Sequence, residues 1–219
     1  MKKFDLIAQK NNRKIGEACE YIEPTVTEDC IFYDNGEIVG FYLSKMPKKM
    51  CNLAAIANKE FRGDNVPKSK MNRGTKKQAI ERGREMVEQY STIIGSTPKK
   101  PHFKRNYHNY TAVHSVPEAQ TFIKAMWLLA IESEKLIKKY MPEQHKRQSL
   151  LFEAVPKKWR FGNLFTSSIS NFNISAPFHR DNGNIVGAVN VIICKQKNAK
   201  GGDLNIPDYG ATIGQCDNS

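Results

Sequence analysis

The sequence predicts an α+β fold with helices and one β-hairpin first and β-strands from about residue 160 onward. Three observations lead to this prediction. They are an Asn-Gly turn between two β-prone runs, a long amphipathic stretch over 117–140, and strand-like patterns after Phe161. The length of 219 residues is enough for one sizeable core or at most two small ones.

The first predicted element is a β-hairpin over residues 31–43, IFYDNGEIVGFYL. Two runs rich in β-branched and aromatic residues flank Asn35-Gly36, a strong signal for a two-residue turn. A helix is predicted next over 50–61, which carries Ala and Leu residues and precedes a polar loop punctuated by Gly and Pro.

Two further helices are predicted in the middle of the chain. The run 75–91 has enough apolar positions for a short helix despite Gly83. The stronger prediction is 117–140, with Pro117 near its start and Pro142 just beyond its end. Its apolar residues recur at steps of three, four or seven and share one face: Phe122, Met126, Leu129, Leu136 and Tyr140.

Strands are predicted in the last third of the chain. Residues 164–174 mix small polar and apolar residues, and residues 185–194, IVGAVNVIIC, form an apolar run typical of a buried strand. Another strand is expected to begin at Gly201-Gly202-Asp203-Leu204, after a polar turn over 195–200.

The chain is strongly basic, with 34 Lys and Arg against 22 Asp and Glu, and the excess is concentrated. Between Arg62 and Arg105 twelve basic residues face four acidic ones, a net charge of +8 in 44 residues. Such a block suits a polyanion such as nucleic acid, because phosphate contacts release counterions. A solubilising surface is the alternative.

Cysteine content and hydropathy exclude several classes of protein. The five cysteines form no CxxC pair, which argues against a zinc ribbon or a disulfide scaffold and favours free thiols. No apolar run approaches the roughly 18 residues of a membrane-spanning helix, and the N-terminus lacks the apolar stretch of a signal peptide. We therefore expect no membrane association and a cytoplasmic location, or a nuclear one in a eukaryote.

The segment APFHRDNGN, residues 176–184, carries the most informative chemistry. His179 and Asp181 are two residues apart, so on a strand they would point to the same face. Two histidines and one carboxylate make the facial triad that holds Fe(II) with open positions. The alternative is a surface turn with an ordinary ion pair. A kinase HRD loop is excluded, because position 186, where that motif needs Asn, is Val.

The wider segment, residues 165–210, resembles the catalytic half of the TET/JBP group of Fe(II)- and 2-oxoglutarate-dependent dioxygenases. It shows F-T-x-x-x-x-N-x-N, H-x-D-x-x-N, an apolar run, G-G-x-L and P-x-Y in the group's order. Weaker likenesses lie upstream, in the spacing of Pro142 to Gln148 and in Arg73-Gly74 followed by Ser96 in a Gly-containing turn. The resemblance covers roughly residues 60–219 and is densest over 161–210.

This resemblance implies a double-stranded β-helix, or jelly-roll, core from about residue 160, buttressed by the N-terminal helices and hairpin. Residues 1–60 would form an N-terminal hairpin and helix region. Residues 61–219 would form the dioxygenase domain, with a helical, basic part over 61–158 and a jelly-roll part over 159–219 that lacks its last strands.

The resemblance also implies roles for individual residues. His179 and Asp181 match the first two iron ligands, and Asn171 matches a residue that binds 2-oxoglutarate. Asn184 matches the Asn that touches a flipped pyrimidine. A strand-end Asn and a turn-favouring Asn are the respective alternatives. In the basic segment, Arg73 and Arg105 are the predicted substrate-binding residues, and packing in the local loop is an equal alternative for Arg105.

The chain departs from the family pattern after Asp181. Residues 182–219 contain no His and no Arg. The family uses a distal His as the third iron ligand and an Arg for the far carboxylate of 2-oxoglutarate. We therefore expect a C-terminally truncated copy, in which two ligands would hold iron weakly.

The function expected from the resemblance is hydroxylation of the methyl group of 5-methylcytosine or thymine in DNA, with Fe(II) and 2-oxoglutarate as cofactors. Two alternatives stay open. One is a hydroxylase of protein side chains on the same fold. The other is a non-catalytic nucleic-acid-binding module with a degenerate iron site.

Overall fold

A computed structural model describes residues 1–70, 89–97, 109–174, 176–181, 184–199 and 201–219. Within these ranges the chain is a mixed α and β protein with three α-helices and nine short strands. The strands form three sheets, none of which closes on itself in the described ranges. The predicted α+β class is thus confirmed, and the jelly-roll arrangement stays a prediction.

The N-terminal sheet contains the predicted hairpin. Strands β2 (Cys30–Asp34) and β3 (Glu37–Tyr42) pair antiparallel, and β1 (Lys2–Asp5) adds to β2 in parallel. Asn35 and Gly36 both have positive φ, 50° and 83°, as a type I′ turn requires. The hairpin prediction is confirmed, whereas β1 was not predicted.

The helices follow the amphipathic signals closely. Helix α1 (Lys48–Arg62) contains the predicted helix 50–61, and α2 (Gln120–Tyr140) follows a 3₁₀ turn at Pro117–Ala119. A third helix, α3 (Pro142–Glu153), was not predicted. Pro142 ends α2 as expected but also begins α3, because a proline at the first helical position loses no hydrogen bond.

The main core lies where α1 and α2 pack against the second sheet. Phe61 of α1 and Phe122 of α2 stack with ring centroids 5.9 Å apart. Each of these rings is at least 95% buried, as are the other large side chains at the centre of the cluster: Met50, Ile94, Leu129 and Phe161. The apolar face predicted for 117–140 therefore contributes to this core.

The second sheet consists of β4 (Ser69–Lys70), β5 (Tyr90–Thr97), β6 (Asn109–Tyr110) and β7 (Ser167–Phe172). Strand β7 lies inside the predicted strand 164–174 and pairs antiparallel with β5. The helix predicted over 75–91 is wrong at Tyr90 and Ser91, which belong to β5 because six ladder pairs bind β5 to β7. Its residues 75–88 lie outside the described part of the chain.

Strand β5 comes unusually close to the segment before β7. Ser96, expected in a turn, lies within β5; its backbone N–H donates to the carbonyl oxygen of Thr166 at 2.8 Å and its hydroxyl to that of Trp159 at 2.8 Å. Gly95 has φ +92°, and a Cβ on it would lie 2.5 Å from the Thr166 oxygen. Only glycine fits at that position.

The C-terminal strands β8 (Leu204–Ile206) and β9 (Ala211–Ile213) form a small antiparallel pair around a 3₁₀ turn. Strand β8 confirms the strand expected to begin near Leu204. The strand predicted over 185–194 is wrong as a ladder strand, because no backbone hydrogen bond joins residues 190–193 to any described residue. The segment nevertheless keeps a strand-like alternation, with 189, 191 and 193 partly buried and 190 and 192 exposed.

Among the described residues, the search for a helix long and apolar enough to cross a bilayer finds none.

Candidate functional site

His179 and Asp181 lie side by side, although not on the strand from which their spacing predicts this. Nε2 of His179 is 3.4 Å from Oδ1 of Asp181, and the two side chains are 47% and 65% exposed. The segment that carries them has no ladder partner and is not a strand, contrary to the expectation. The pair therefore meets across a short irregular segment at the surface.

The segment is fixed by backbone bonds to the N-terminal region. The N–H of Gly16 donates to the carbonyl of Phe178 at 2.7 Å, and the N–H of Phe178 donates to that of Glu17 at 2.9 Å. The guanidinium of Arg13 lies 5.8 Å from the centroid of the Phe178 ring. Sequence reasoning missed this anchor, because nothing local in residues 13–17 identifies a partner so distant in the chain.

Arg13 and Glu17 are themselves an ion pair, with Nη1 and Oε1 2.5 Å apart. The backbone N–H of Lys14 and the Arg13 guanidinium both donate to Glu17 and lower its carboxyl pKa. The two side chains also line an open polar groove of about 540 Å³, together with the amides of Gln9, Asn12 and Asn205. The anchor of the His179 segment is thus one wall of this groove.

The donor atoms of the pair fit a divalent metal. Nδ1 of His179 lies 2.8 Å from the carbonyl oxygen of Pro177, which can only accept, so Nδ1 carries the proton. When Nε2 is unprotonated, its lone pair lies beside the Asp181 carboxylate. Histidines that bind metals usually hold their other N–H in such a bond. Two adjacent ligands, each about 2.1 Å from one ion, lie roughly 3 Å apart, close to the separation of this pair.

The same geometry also suits an ordinary ion pair if Nε2 is protonated. Exposed ion pairs contribute about 0–1 kcal/mol to stability, so such a pair would have little structural value. The two readings differ in whether Nε2 is free to bind a metal.

The described residues supply no third ligand: they contain no group of three His, Cys, Asp or Glu side chains placed to hold a metal ion. His114 accepts a hydrogen bond from the backbone of Gly95, and His145 lies 3.2 Å from Glu134. His102 and His108 lie outside the described part of the chain.

The two predicted asparagines differ in their relation to the pair. The backbone N–H of Asn184 donates to the carbonyl of Asp181 at 3.2 Å, which closes a turn directly after the pair. Asn171 is exposed on β7, opposite Ser91 of β5, and no hydrogen bond of the described residues joins it to His179 or Asp181. Of His179, Asp181, Asn184 and Asn171, the structure therefore brings the first three together and leaves Asn171 apart.

Arg73 and Arg105 lie outside the described ranges, as does most of the basic segment. Of its described members, Arg62 lies 5.4 Å from the ring of Phe172, which stacks on Tyr90 at 4.7 Å. Lys68 donates from Nζ to the carbonyl of Phe61 at 3.0 Å and so binds the C-terminal end of α1. Arg62 is thus an exposed cation on an aromatic stack, whereas Lys68 has a structural partner.

Gln148 connects the helices to the chain beyond the site. Its side chain is 1% exposed; the amide Nε2 donates to the carbonyl of Leu164 at 2.9 Å, and Oε1 accepts from the N–H of Val189 at 2.9 Å. In the sequence, the spacing from Pro142 to Gln148 has a meaning only through the family resemblance. Its structural meaning is a buried amide that fixes the position of Val189.

Comparison with protein-family models, with curated proteins and with solved structures found no match to this chain.

Proposed function

We propose that this chain carries the metal-binding part of an Fe(II)- and 2-oxoglutarate-dependent dioxygenase that hydroxylates the methyl group of 5-methylcytosine or thymine in DNA. The observation that supports it best is the position of the two ring nitrogens of His179. Nδ1 lies 2.8 Å from the carbonyl oxygen of Pro177, and Nε2 lies 3.4 Å from the Asp181 carboxylate, so both side chains could bind one ion. Histidines that bind metals are usually held by such a bond at their other nitrogen.

His179 and Asp181 would hold the iron through one nitrogen and one oxygen. Fe(II), with 2-oxoglutarate as the co-substrate that is oxidised to succinate and CO₂, would activate dioxygen, the oxidant needed to hydroxylate an unactivated methyl group. The carbonyl of Pro177 keeps the imidazole oriented, and the backbone bonds of Phe178 to residues 16 and 17 hold the segment in place. Asn171 remains the proposed ligand of 2-oxoglutarate, and Asn184 the proposed contact to the base.

DNA is the proposed substrate because of the distribution of charge. The +8 block between Arg62 and Arg105 suits a phosphate backbone, with Arg73 and Arg105 as the proposed contacts. The groove beside the site is lined by amide and cationic side chains, the residue types that contact sugar and phosphate, and also by the Glu17 carboxylate, which pairs with Arg13. A methyl group inside a duplex is out of reach, so the base would have to be flipped toward the site.

The first test is metal binding by the whole chain. Anaerobic calorimetric titration with Fe(II) should show one weak site, because only two ligands are at hand among the described residues. His179→Ala and Asp181→Ala should each abolish it. Arg180→Ala is the matched control, because it lies between the two ligands and offers no donor to a metal; it should leave the affinity unchanged. Equal binding by all four proteins would remove the basis of the proposal.

The second test concerns the substrate. Release of succinate from 2-oxoglutarate should be stimulated by DNA containing 5-methylcytosine and not by peptides, and stimulation by peptides alone would favour a protein hydroxylase. Binding of the same DNA should persist in the His179→Ala and Asp181→Ala proteins, because the basic segment is unchanged. Loss of DNA binding in those variants would contradict the assigned roles.

The second candidate function is a non-catalytic nucleic-acid-binding module. The observation that favours it is that no three His, Cys, Asp or Glu side chains of the described residues are grouped to hold a metal ion. Tight binding of DNA with no uptake of Fe(II) would support this candidate over the dioxygenase.

A further inference from the structure

Two aromatic side chains, Tyr110 of β6 and Trp159, meet at the surface beside the end of β5. Their ring centroids are 5.4 Å apart. Tyr110 is 40% exposed and Trp159 is partly buried. Neither ring belongs to the three apolar clusters that form the core of the described residues. We term these two residues, with the neighbouring Lys157 and Lys158, the aromatic corner.

Backbone bonds hold both rings of the aromatic corner in place. Tyr110 is opposite Ser96 in the β5–β6 ladder, and the Ser96 hydroxyl donates to the carbonyl of Trp159 at 2.8 Å. The Tyr110 hydroxyl donates to the carbonyl of Lys158, and the N–H of Trp159 donates to that of Pro156 at 2.8 Å. Because the backbone at both rings is already ordered, a ligand that binds there loses little affinity to ordering the chain.

Cations flank the Trp159 ring on both sides in the sequence, which reads Lys157-Lys158-Trp159-Arg160. The Lys158 ammonium lies 5.1 Å from the centroid of the Trp159 ring. Arg160 donates from Nε to the carbonyl of Val155 and so has a structural partner. Lys157 and Lys158 are exposed, and neither forms an ion pair within the described part of the chain. Their ammonium groups are therefore open to phosphate.

Tyr110 and Trp159 each lie within a stretch of sequence that has no acidic residue. Residues 89–117 contain four Lys or Arg and no Asp or Glu, and residues 154–180 also contain four and none. The whole chain, by contrast, has 22 acidic residues in 219. Aromatic rings among cations, without carboxylates in the same segments, suit a polyanion that offers the faces of its bases.

The ring geometry distinguishes this corner from the other aromatic pair with nearby cations, Tyr90 and Phe172. Those two rings stack nearly parallel, at 14° and 4.7 Å, with Lys68 and Arg62 5.0 and 5.4 Å from their respective centroids, and both pack on the main core. The rings of Tyr110 and Trp159 are instead tilted by 49°. Rings at this angle do not cover each other's faces, so the aromatic corner keeps room for a third ring.

We propose that the aromatic corner binds single-stranded DNA, with one unpaired base stacked on Trp159 and the adjacent phosphates on Lys157 and Lys158. A base must expose its face to stack on a side chain, and a duplex hides that face between neighbouring base pairs. An acidic peptide would use the two lysines but has no base to stack. The inference rests on the nucleic-acid partner of the proposed function and not on its iron chemistry, and it names the form of DNA that the chain recognises.

The fluorescence of the two tryptophans gives the first test. Trp127 is the matched reference, because it is 39% exposed on α2 and contacts Phe161 edge-on at 5.3 Å. The probe is a twelve-nucleotide oligothymidylate, within the roughly 4–16 nucleotides of known single-strand sites. A base stacked on an indole quenches its emission. The probe should therefore quench the Trp127→Phe chain, which keeps only Trp159, and leave the Trp159→Phe chain nearly unchanged. Any other pattern would overturn the proposal.

The affinity for the same strand, measured by fluorescence anisotropy, separates stacking from charge. Trp159→Ala should weaken binding about tenfold, and Trp127→Ala should leave it unchanged. Combined Lys157→Ala and Lys158→Ala replacements should also weaken binding and should reduce the slope of log affinity against log salt by about 1.4, the value for two phosphate contacts of a single strand. Equal affinities or equal salt slopes in all proteins would place the strand elsewhere. If Trp159→Ala does not fold, the fluorescence pair decides the outcome.

The form of the nucleic acid is tested by competition, with neither Fe(II) nor 2-oxoglutarate present. The same strand paired with its complement should compete at least tenfold more weakly, and equal competition would contradict stacking. Tighter binding of an oligouridylate of the same length would make RNA the partner and overturn the choice of DNA. If the parent chain binds no nucleic acid, this inference and the DNA part of the proposed function fail together. If it binds DNA and the Trp159→Ala chain binds equally well, this inference alone fails.

Discussion

The backbone N–H of Gly95 donates a 2.7 Å hydrogen bond to Nε2 of His114. A nitrogen that accepts carries no proton, so His114 is neutral with its proton on Nδ1. Burial lowers the pKa of His114 below its ordinary value, because it disfavours the charged form. The bond joins the chain before α2 to the most tightly packed point of β5.

The free energy of unfolding should therefore decrease as the pH falls below about 6.5, the ordinary pKa of histidine. The unfolded chain takes up a proton there, while the folded chain does not until the pH reaches its lower pKa. The unfolded state is thus favoured between the two values. Urea denaturation at pH 7.5, 6.5 and 5.5 measures this.

His114→Asn removes the titrating group and serves as the comparison. The difference in stability between the two proteins should change across this pH interval, and a constant difference would contradict a depressed pKa. His114→Ala leaves the Gly95 N–H without its acceptor and should cost about 1–3 kcal/mol at pH 7.5.

Gly95→Ala should destabilise the fold more than any replacement of an unhindered glycine. Its φ of +92° disfavours a side chain, and the new Cβ would lie 2.5 Å from the Thr166 oxygen, which belongs to the backbone. The positive φ alone costs about 1–2 kcal/mol, and the clash adds to it. Thermal and urea denaturation give the total.

Gly16→Ala separates the two contributions. Gly16 has nearly the same φ, +89°, but nothing lies within 4 Å of the Cβ position. Gly16→Ala should therefore lower the free energy of unfolding only by the backbone cost of about 1–2 kcal/mol. Equal losses in the two variants would show that the chain near Thr166 moves to accommodate a side chain.

These local features explain which parts of the fold the sequence predicts. The hairpin at Asn35-Gly36 and helix α2 are specified by residues close together in the chain, so pattern and turn chemistry identify them. The sequence does not predict strand β5 and places its residues Tyr90 and Ser91 in a helix, because β5 pairs with β7, which comes much later in the chain. Helix α3 was missed because a proline that stops one helix also suits the first position of the next.

The candidate site likewise has features that the sequence predicts and features that it does not. His179 and Asp181 are close because they are two residues apart, but the strand on which that spacing predicts a shared face is absent from the described segment. The bond of Nδ1 to Pro177 and the anchoring of Phe178 on residues 16 and 17 depend on backbone geometry, which no spacing encodes. The strand predicted over 185–194 has the correct alternation but no ladder partner among the described residues, and its composition alone carries no information about pairing.

Val186→Pro should stabilise the chain by about 0.4–1 kcal/mol. The N–H of Ala188 donates to the carbonyl of Ile185 at 3.1 Å, and Gly187 has φ +81°. These features define a type II turn with Val186 at its second position, where proline is favoured. Proline restricts the unfolded chain without removing a contact, because Val186 is exposed. A lower melting temperature than that of the parent chain would rule out this turn type.

Gln148→Met should be one of the most destabilising single changes, at about 2–4 kcal/mol. The thioether has nearly the shape of the amide, but it leaves the carbonyl of Leu164 and both backbone groups of Val189 without partners. Buried polar groups that lose their hydrogen bonds cost about 1–3 kcal/mol each, less whatever water recovers. Urea denaturation measures the decrease in the free energy of unfolding. The rate of hydrogen exchange at the Val189 amide shows whether the decrease arises from the lost bonds to Gln148.

Gln144→Met is the matched control, because Gln144 also lies on α3 and donates to the same segment, at the carbonyl of Gly187. Its side chain is much less buried than that of Gln148, so water replaces the lost bond and the cost should stay below about 1 kcal/mol. Faster exchange at Val189 only in the Gln148 variant would identify the buried amide as the link between the helices and the chain beyond His179 and Asp181. If the two variants lost equal stability, the decrease would come from replacing a glutamine on α3 and not from the buried bonds of Gln148.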